Sequence, residues 1–287
     1  MPFASRGGAR LYYEIHGEGP PAVFAHGAGG NTLIWWQQVR HFAASHRVVL
    51  FDHRGFGRSS CASADFDARH FPDDLLAILD AAKIDRAAIV GQSMGGFTAL
   101  RFAVRHPGRL RALVLAGTAG GADTPLVQED RQRIMARMAA TPRLERVLAQ
   151  DFLRREPERS ELYAQISALN CAETTEAALR TLWNDPVSLP QLSALQLPVL
   201  LLAGTQDWFF RPQTLAQDGI GPFRFTTPLF RFPETPITVR QPPVALGEHN
   251  EYVYREVIGV SEAEYERYRE LGHVRTDFDP KAPQGAI

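Results

Sequence analysis

The stretch that most constrains this chain is Gly91-Gln92-Ser93-Met94-Gly95, set between the apolar run Ala87-Ala88-Ile89-Val90 and the helix-forming Phe97-Thr98-Ala99-Leu100-Arg101-Phe102. A serine inside G-x-S-x-G, entered from a strand and left by a helix, sits on a strained turn that small flanking residues make possible. The pattern predicts a hydroxyl held out at the strand's carboxyl end. Free backbone N–H groups and the positive end of the helix dipole lie beside such a position, where negative charge on an attacked carbonyl is stabilised. The same five residues also suit a glycine-rich turn with an idle serine, so the neighbouring motifs must decide.

Length and charge narrow the field. A chain of 287 residues is long enough for one large α/β domain, or for a core with an appendage, and it can bury a sizeable core. A formal net charge of -1, with no block of like charge, favours neither nucleic acid nor an anionic membrane as a partner. Cys61 and Cys171 show no metal or redox spacing and read as free thiols. The first residues lack an apolar signal core, and no run reaches the length that spans a bilayer, so a soluble, cytoplasmic protein is expected.

Strand and helix patterns alternate along the chain. Arg10–Ile15 reads as a strand, and after the turn at 17–21 the run Ala22–Ala25 reads as a buried one. It delivers His26-Gly27-Ala28-Gly29-Gly30, where three glycines let the backbone turn its N–H groups toward a ligand. His26 reads as a buried structural histidine. An amphipathic helix through Trp35, Trp36, Val39, Phe42 and Ala43 leads to the strand Arg47–Phe51 and the loop Asp52-His53-Arg54-Gly55-Phe56-Gly57-Arg58-Ser59-Ser60. The charged residues of that loop read as hydrogen-bonded turn structure. A helix through Leu75, Leu76, Ile78 and Leu79 follows, then the serine strand and helix, then the strand Arg111–Ala116. From Ala122 to Pro190 the pattern is helical and mixed in polarity, with Met135, Met138, Leu148, Phe152, Leu162, Ile166, Leu169 and Trp183 available to face inward. An inserted helical lid over a substrate pocket is expected there. The core resumes at Leu197–Ala203 and ends in Gly204-Thr205-Gln206-Asp207, where an acid past a late strand suits the orienting of an imidazole.

Taken together, His26–Gly30, Asp52–Ser59, Gly91–Gly96 and Gly204–Asp207 resemble the α/β-hydrolase family, in its esterase, lactonase and carbon–carbon hydrolase branch, over about residues 8 to 212. The resemblance implies an α/β fold with a mostly parallel sheet, a helical lid, Ser93 as nucleophile and Asp207 as the triad acid. It also implies oxyanion N–H groups from Ala28 and Met94, a small-molecule acyl substrate, and no metal or organic cofactor.

The family's closing strand and its Gly-His pair do not follow. Residues 213–248 hold no histidine and carry Pro222, Pro228, Pro233, Pro236, Pro242 and Pro243. From about Gly221 the chain instead resembles the C-terminal end of the class III CoA-transferases, in Arg231–Pro236, Pro242–Asn250 and the stretch Val253–Glu264, where Ser261 and Glu264 form a capping box. The expected organisation is a hydrolase core over 1–121, a helical lid over 122–190, the rest of the core over 191–217, and an irregular, partly helical tail over 218–287. The tail is a candidate docking segment for a partner protein or an oligomer. Only His249 and His273 follow Asp207. Either could serve as the base that a neutral serine needs, or there is none, and the chain is then a hydrolase fold that binds without catalysing. With a base, hydrolysis of a small ester, lactone or thioester through an acyl-enzyme is expected.

Overall fold

Short runs of Val, Ile, Leu, Phe and Ala between turns form strands buried on both faces, and their alternation divides them between two helical layers. The computed structural model describes residues 2–138, 140–204, 206–207, 209–211 and 261–270. The chain divides into two units, Met1–Pro222 and Phe223–Ile287. The first holds strands β1 Phe3–Arg6, β2 Ala9–His16, β3 Pro21–Ala25, β4 Arg47–Phe51, β5 Ala87–Gln92 and β6 Leu110–Ala116. Helices α1 Trp36–Phe42, α2 Phe71–Ala81 and α3 Met94–Arg105 alternate with them. An insertion follows, from β7 Ala122–Asp123 through α4 Pro125–Met138, α5 Arg143–Val147, α6 Gln150–Arg155, α7 Pro157–Ala168 and α8 Ala172–Thr181 to β8 Val187–Ser188. After α9 Leu189–Ser193 the chain re-enters the sheet as β9 Val199–Leu202.

The sheet order is β1-β2-β4-β3-β5-β6-β9, with β1 and β2 antiparallel and the rest parallel. This is the mostly parallel α/β architecture that the motif order predicts. On one face Val23, Ala25, Val49 and Phe51 share a core with Leu75, Ile78 and Leu79 of α2 and Phe97 and Leu100 of α3. On the other, Ala22, Phe24, Val48 and Leu50 pack on Trp35, with Val39 and Phe42 of α1 beside them. Because β3 lies between β4 and β5, the order reverses there. Ligands bind outside the carboxyl ends of strands at such a switch point. The exits of β3 and β5 are His26–Gly30 and Ser93.

Three local expectations change. The helix expected through Trp35 and Ala43 is divided: Thr32–Trp35 is a 3-10 turn, started by the Asn31 side chain accepting from the Leu33 N–H, and α1 begins only at Trp36. β1 was not anticipated; it pairs with β2 through Gly7-Gly8, whose φ values of 51° and 75° make the two-residue hairpin turn. In the insertion, Met135, Leu162 and Leu169 face solvent. The buried face of α4 runs through Val127, Asp130 and Ile134, at i, i+3 and i+7, which leaves Met135 outside it. In α7, Ser160, Ile166 and Ser167 take the buried positions instead of Leu162.

The insertion begins and ends on one pair of strands, since β7 and β8 lie side by side through Ala122↔Val187 and Asp123↔Ser188. Buried Arg101 of α3 holds its far end by donating to the carbonyls of Leu182 and, at 2.6 Å, Asp185. In the second unit, α10 Glu262–Glu270 starts at the capping box: Ser261 N–H and Oγ reach Glu264 Oε2 at 2.8 and 2.7 Å, and Glu264 N–H returns to Ser261 Oγ at 3.4 Å. Most of the tail, including the resemblance at 231–250, lies outside the described residues, as does the region where a closing strand was sought.

Candidate active site

The serine turn is held by backbone, not by side chains. Ser93 has φ 50° and ψ −116°, its N–H donates to the Ala116 carbonyl at 3.0 Å, and its own carbonyl accepts from Gly96 at 2.9 Å. Gly95 must lack a side chain, because a Cβ there would overlap the Ala25 carbonyl at the end of β3. That close approach brings the β5–α3 turn against the β3 exit. A Cβ on Gly27 would lie 3.1 Å from the Ser93 Cβ, so the two loops touch at the serine. Ser93 Oγ has no hydrogen-bond partner among the described residues.

Two N–H groups lie at this junction. Met94 is the first residue of α3, so its N–H has no intrahelical acceptor. Ala28 lies in the loop after β3, closed by Gly30 N–H donating to the Gly27 carbonyl at 2.9 Å, and its own N–H takes no acceptor among the described residues. Gly27, Ala28, Gly29, Gln92, Ser93 and Asp207 line one cavity of about 800 Å³. That is a common size for a small-molecule site. The insertion contributes the opposite lining, including Arg146, Leu148, Phe152, Arg155, Tyr163 and Leu179.

Asp207 is half-buried. Its Oδ1 accepts from the N–H groups of Phe209 at 2.8 Å and Phe210 at 3.2 Å, and a Cβ on Gly117, at the end of β6, would lie 3.3 Å from Oδ2. Burial raises its pKa above the usual carboxylate value, against the lowering pull of the two N–H groups and the Arg133 guanidinium. The loop is bolted to α4: Arg133 donates to the Phe209 carbonyl at 2.8 Å, while fully buried Asp130 accepts from Arg133 at 2.7 Å and Arg211 Nε at 2.7 Å.

The two buried histidines beside the site are structural. Buried His26 donates from Nδ1 to the Gly27 carbonyl at 2.8 Å and accepts at Nε2 from the His53 N–H at 3.0 Å; His53 Nε2 meets Thr98 Oγ1 at 2.9 Å. Burial lowers the pKa of His26, and that of His53 falls well below the usual imidazole value, with His26 adding to the shift. Neither lines the cavity, nor does any other of the described histidines. Asp52 accepts from the N–H groups of Thr32 at 2.6 Å and Arg58 at 2.8 Å, and Arg54 forms a bidentate pair with Asp74, both contacts 2.6 Å and both side chains buried. Breaking such a pair by removing one partner costs about 3–5 kcal/mol. These residues hold the β4 exit beside the β3 exit. His249 and His273 lie outside the described residues. Among the described residues no group of three or more His, Cys, Asp or Glu is placed to hold a metal ion, and no helix is long and apolar enough to cross a membrane.

Residues from the insertion escaped the sequence reading. Asn170, just past α7, donates to the Gly30 carbonyl at 3.1 Å and accepts from the Gly57 N–H at 3.1 Å, bridging two glycine loops. Tyr163 places its hydroxyl 2.7 Å from where a Gly29 Cβ would stand. Neither residue sits in a motif; the only signal is that the segment was expected to cover the pocket.

A serine on a positive-φ turn between strand and helix, at the switch point of a doubly wound sheet, defines the class, and the comparisons agree. The pattern of the alpha/beta hydrolase fold matches residues 20–219. The 3-oxoadipate enol-lactonase 2 of Acinetobacter baylyi is 31% identical over 219 residues, 73% of this chain and 79% of that one. The RutD protein of Azorhizobium caulinodans is 37% identical over 137 residues, 47% of this chain, and the match spans about half (52%) of its length. Among solved structures, a thermophilic esterase from Thermogutta terrifontis superposes with a TM-score of 0.63 at 28% identity, over 72% of this chain and 79% of that one. This chain belongs to the alpha/beta hydrolase fold family, and its relatives are hydrolases.

Proposed function

We propose that the chain is a serine hydrolase of a small carboxylic ester, lactone or thioester. The observation that carries this is the junction at Ser93, where a strained serine, Ala28 and Asp207 line one cavity and Met94, next to the serine, opens α3 with a free N–H. The names of the lactonase and esterase relatives support the same substrate chemistry. In this reading Ser93 Oγ attacks the carbonyl carbon as a base takes its proton, and the oxyanion rests between the two N–H groups. The carbonyl re-forms as the bond to the alcohol or thiol breaks, and the base returns its proton to that leaving group. Water, deprotonated by the same base, then attacks the acyl-enzyme, and the acid leaves as Ser93 regains its proton.

The base in this proposal is His249 or His273, oriented by Asp207. A second reading has its own observation: residues 213–248 hold no histidine, which suits a hydrolase fold that binds without turning over. Fluorophosphonate labelling at neutral pH, read by intact mass, separates the two. Stoichiometric labelling that Ser93→Ala abolishes supports the hydrolase, and His249→Ala and His273→Ala then identify the base. Folded protein that stays unlabelled counts against it. The tail, 218–287, we read as a class III CoA-transferase-like appendage that docks on a second copy or a partner protein. A clean monomer by light scattering, with no partner retained, would count against that role.

A further inference from the structure

The wall of the Ser93 cavity contributed by the insertion carries charge that the reaction does not use. Four charged side chains, two of each sign, line the cavity: Asp207, Asp151, Arg146 and Arg155. Asp207 belongs to the core wall, with Oδ1 committed to two backbone N–H groups. Asp151 is already taken by Arg154 at 2.5 Å, and nearby Glu156 pairs with Arg159 at 3.4 Å. The two remaining arginines have no such partners. Half-buried Arg146 is fixed at one edge, where Nε donates to the Thr141 carbonyl at 2.6 Å, and its terminal nitrogens meet no acceptor among the described residues. Arg155, one turn after Asp151 on α6, has no acceptor for its guanidinium there at all. Apolar Leu148, Phe152 and Leu179 line the same cavity.

Two guanidinium groups beside an apolar wall form a receptor for an apolar chain that ends in an anion. The planar fork matches a carboxylate, and an arginine held at Nε is already oriented for it. A doubly charged group would meet the carboxylates of Asp151 and Asp207 across the same space, so a single negative charge fits better. Building on the hydrolase reading, we infer that the substrate carries a carboxylate remote from its ester, lactone or thioester carbonyl, held by Arg146 and Arg155 while Ser93 attacks. This gives the two arginines of a cavity of about 800 Å³ a partner that the described residues do not supply.

The test compares p-nitrophenyl esters of adipic acid, with its distal carboxylate free, and of hexanoic acid. The charged ester should have a kcat/KM about tenfold higher or more, the effect of one charge-assisted hydrogen bond. The ratio should fall toward one in Arg155→Ala, which removes no hydrogen bond of the described structure, and in 0.5 M salt. Equal rates overturn the inference, as does a preference that survives in an Arg155→Ala, Arg146→Met double variant with native thermal midpoint. Turnover without preference would leave the hydrolase reading standing. If neither ester reacts, calorimetry with 6-hydroxyhexanoate and hexane-1,6-diol decides. Tighter binding of the carboxylate, lost in Arg155→Ala, upholds the site while the hydrolase reading fails, and equal binding overturns the site.

Discussion

Ser93 holds a backbone conformation that residues with a Cβ avoid, and such a conformation stores about 1–3 kcal/mol. Glycine adopts positive φ without that cost, whereas alanine does not. Ser93→Gly should therefore be more stable to urea than Ser93→Ala by about 1 kcal/mol, although both lose the hydroxyl. Equal midpoints would place the strain elsewhere. Asp207 carries the opposite kind of cost, a charge half withdrawn from water. Its folded pKa is raised, so ionising it above that value works against folding, and the cost fades as pH falls through the folded value toward the ordinary 3.8. Asp207→Asn, whose amide oxygen can still accept from Phe209 and Phe210, should unfold at higher urea than the parent at pH 7.5, with the gap narrower at pH 4.5. A gap that is constant with pH would mean that the effect is not ionisation.

Between elements, the contact to test is the one at the end of α7. From the insertion, Asn170 hydrogen-bonds both the loop after β3 and the loop after β4. Asn170→Ala leaves the Gly57 N–H without its acceptor and releases the Gly30 carbonyl, for a loss of about 1–2 kcal/mol. The rate of Ser93 labelling should drop further than stability does, because the loop carrying Ala28 loses its brace; unchanged labelling would make Asn170 merely structural. How much was legible in the sequence follows from how local each signal is. The strand exits at His26, Asp52 and Ser93 are marked by glycines that a few neighbouring residues explain, so the core and the serine turn could be read directly. Arg146, Arg155, Tyr163 and Asn170 come together only through packing of short helices whose faces are weakly marked. Met135, Leu162 and Leu169 show the same weakness from the other side, since their hydrophobicity alone suggested burial that helix phase denies. The Gly7-Gly8 hairpin is marked in the sequence by its pair of adjacent glycines.

Across the first unit, burial is uneven. Ten of the twelve residues of α3 are buried, whereas α5 and α6 bury none among the described residues. Local opening free energy follows burial, so amide exchange should be slowest in α3, β3 and β5, and fastest within α5 and α6. Equal protection would mean that the insertion unfolds only with the core. The carboxylate test bears on the same contrast, because both arginines belong to these lightly buried helices. One consequence follows from the pairing of Ala122 with Val187. A chain that departs and returns through adjacent residues leaves the sheet indifferent to what lies between them. Exchanging this cartridge can therefore give the architecture a new appetite, provided that the newcomer also renews the braces that Asn170, Asp130 and Arg133 lend the engine.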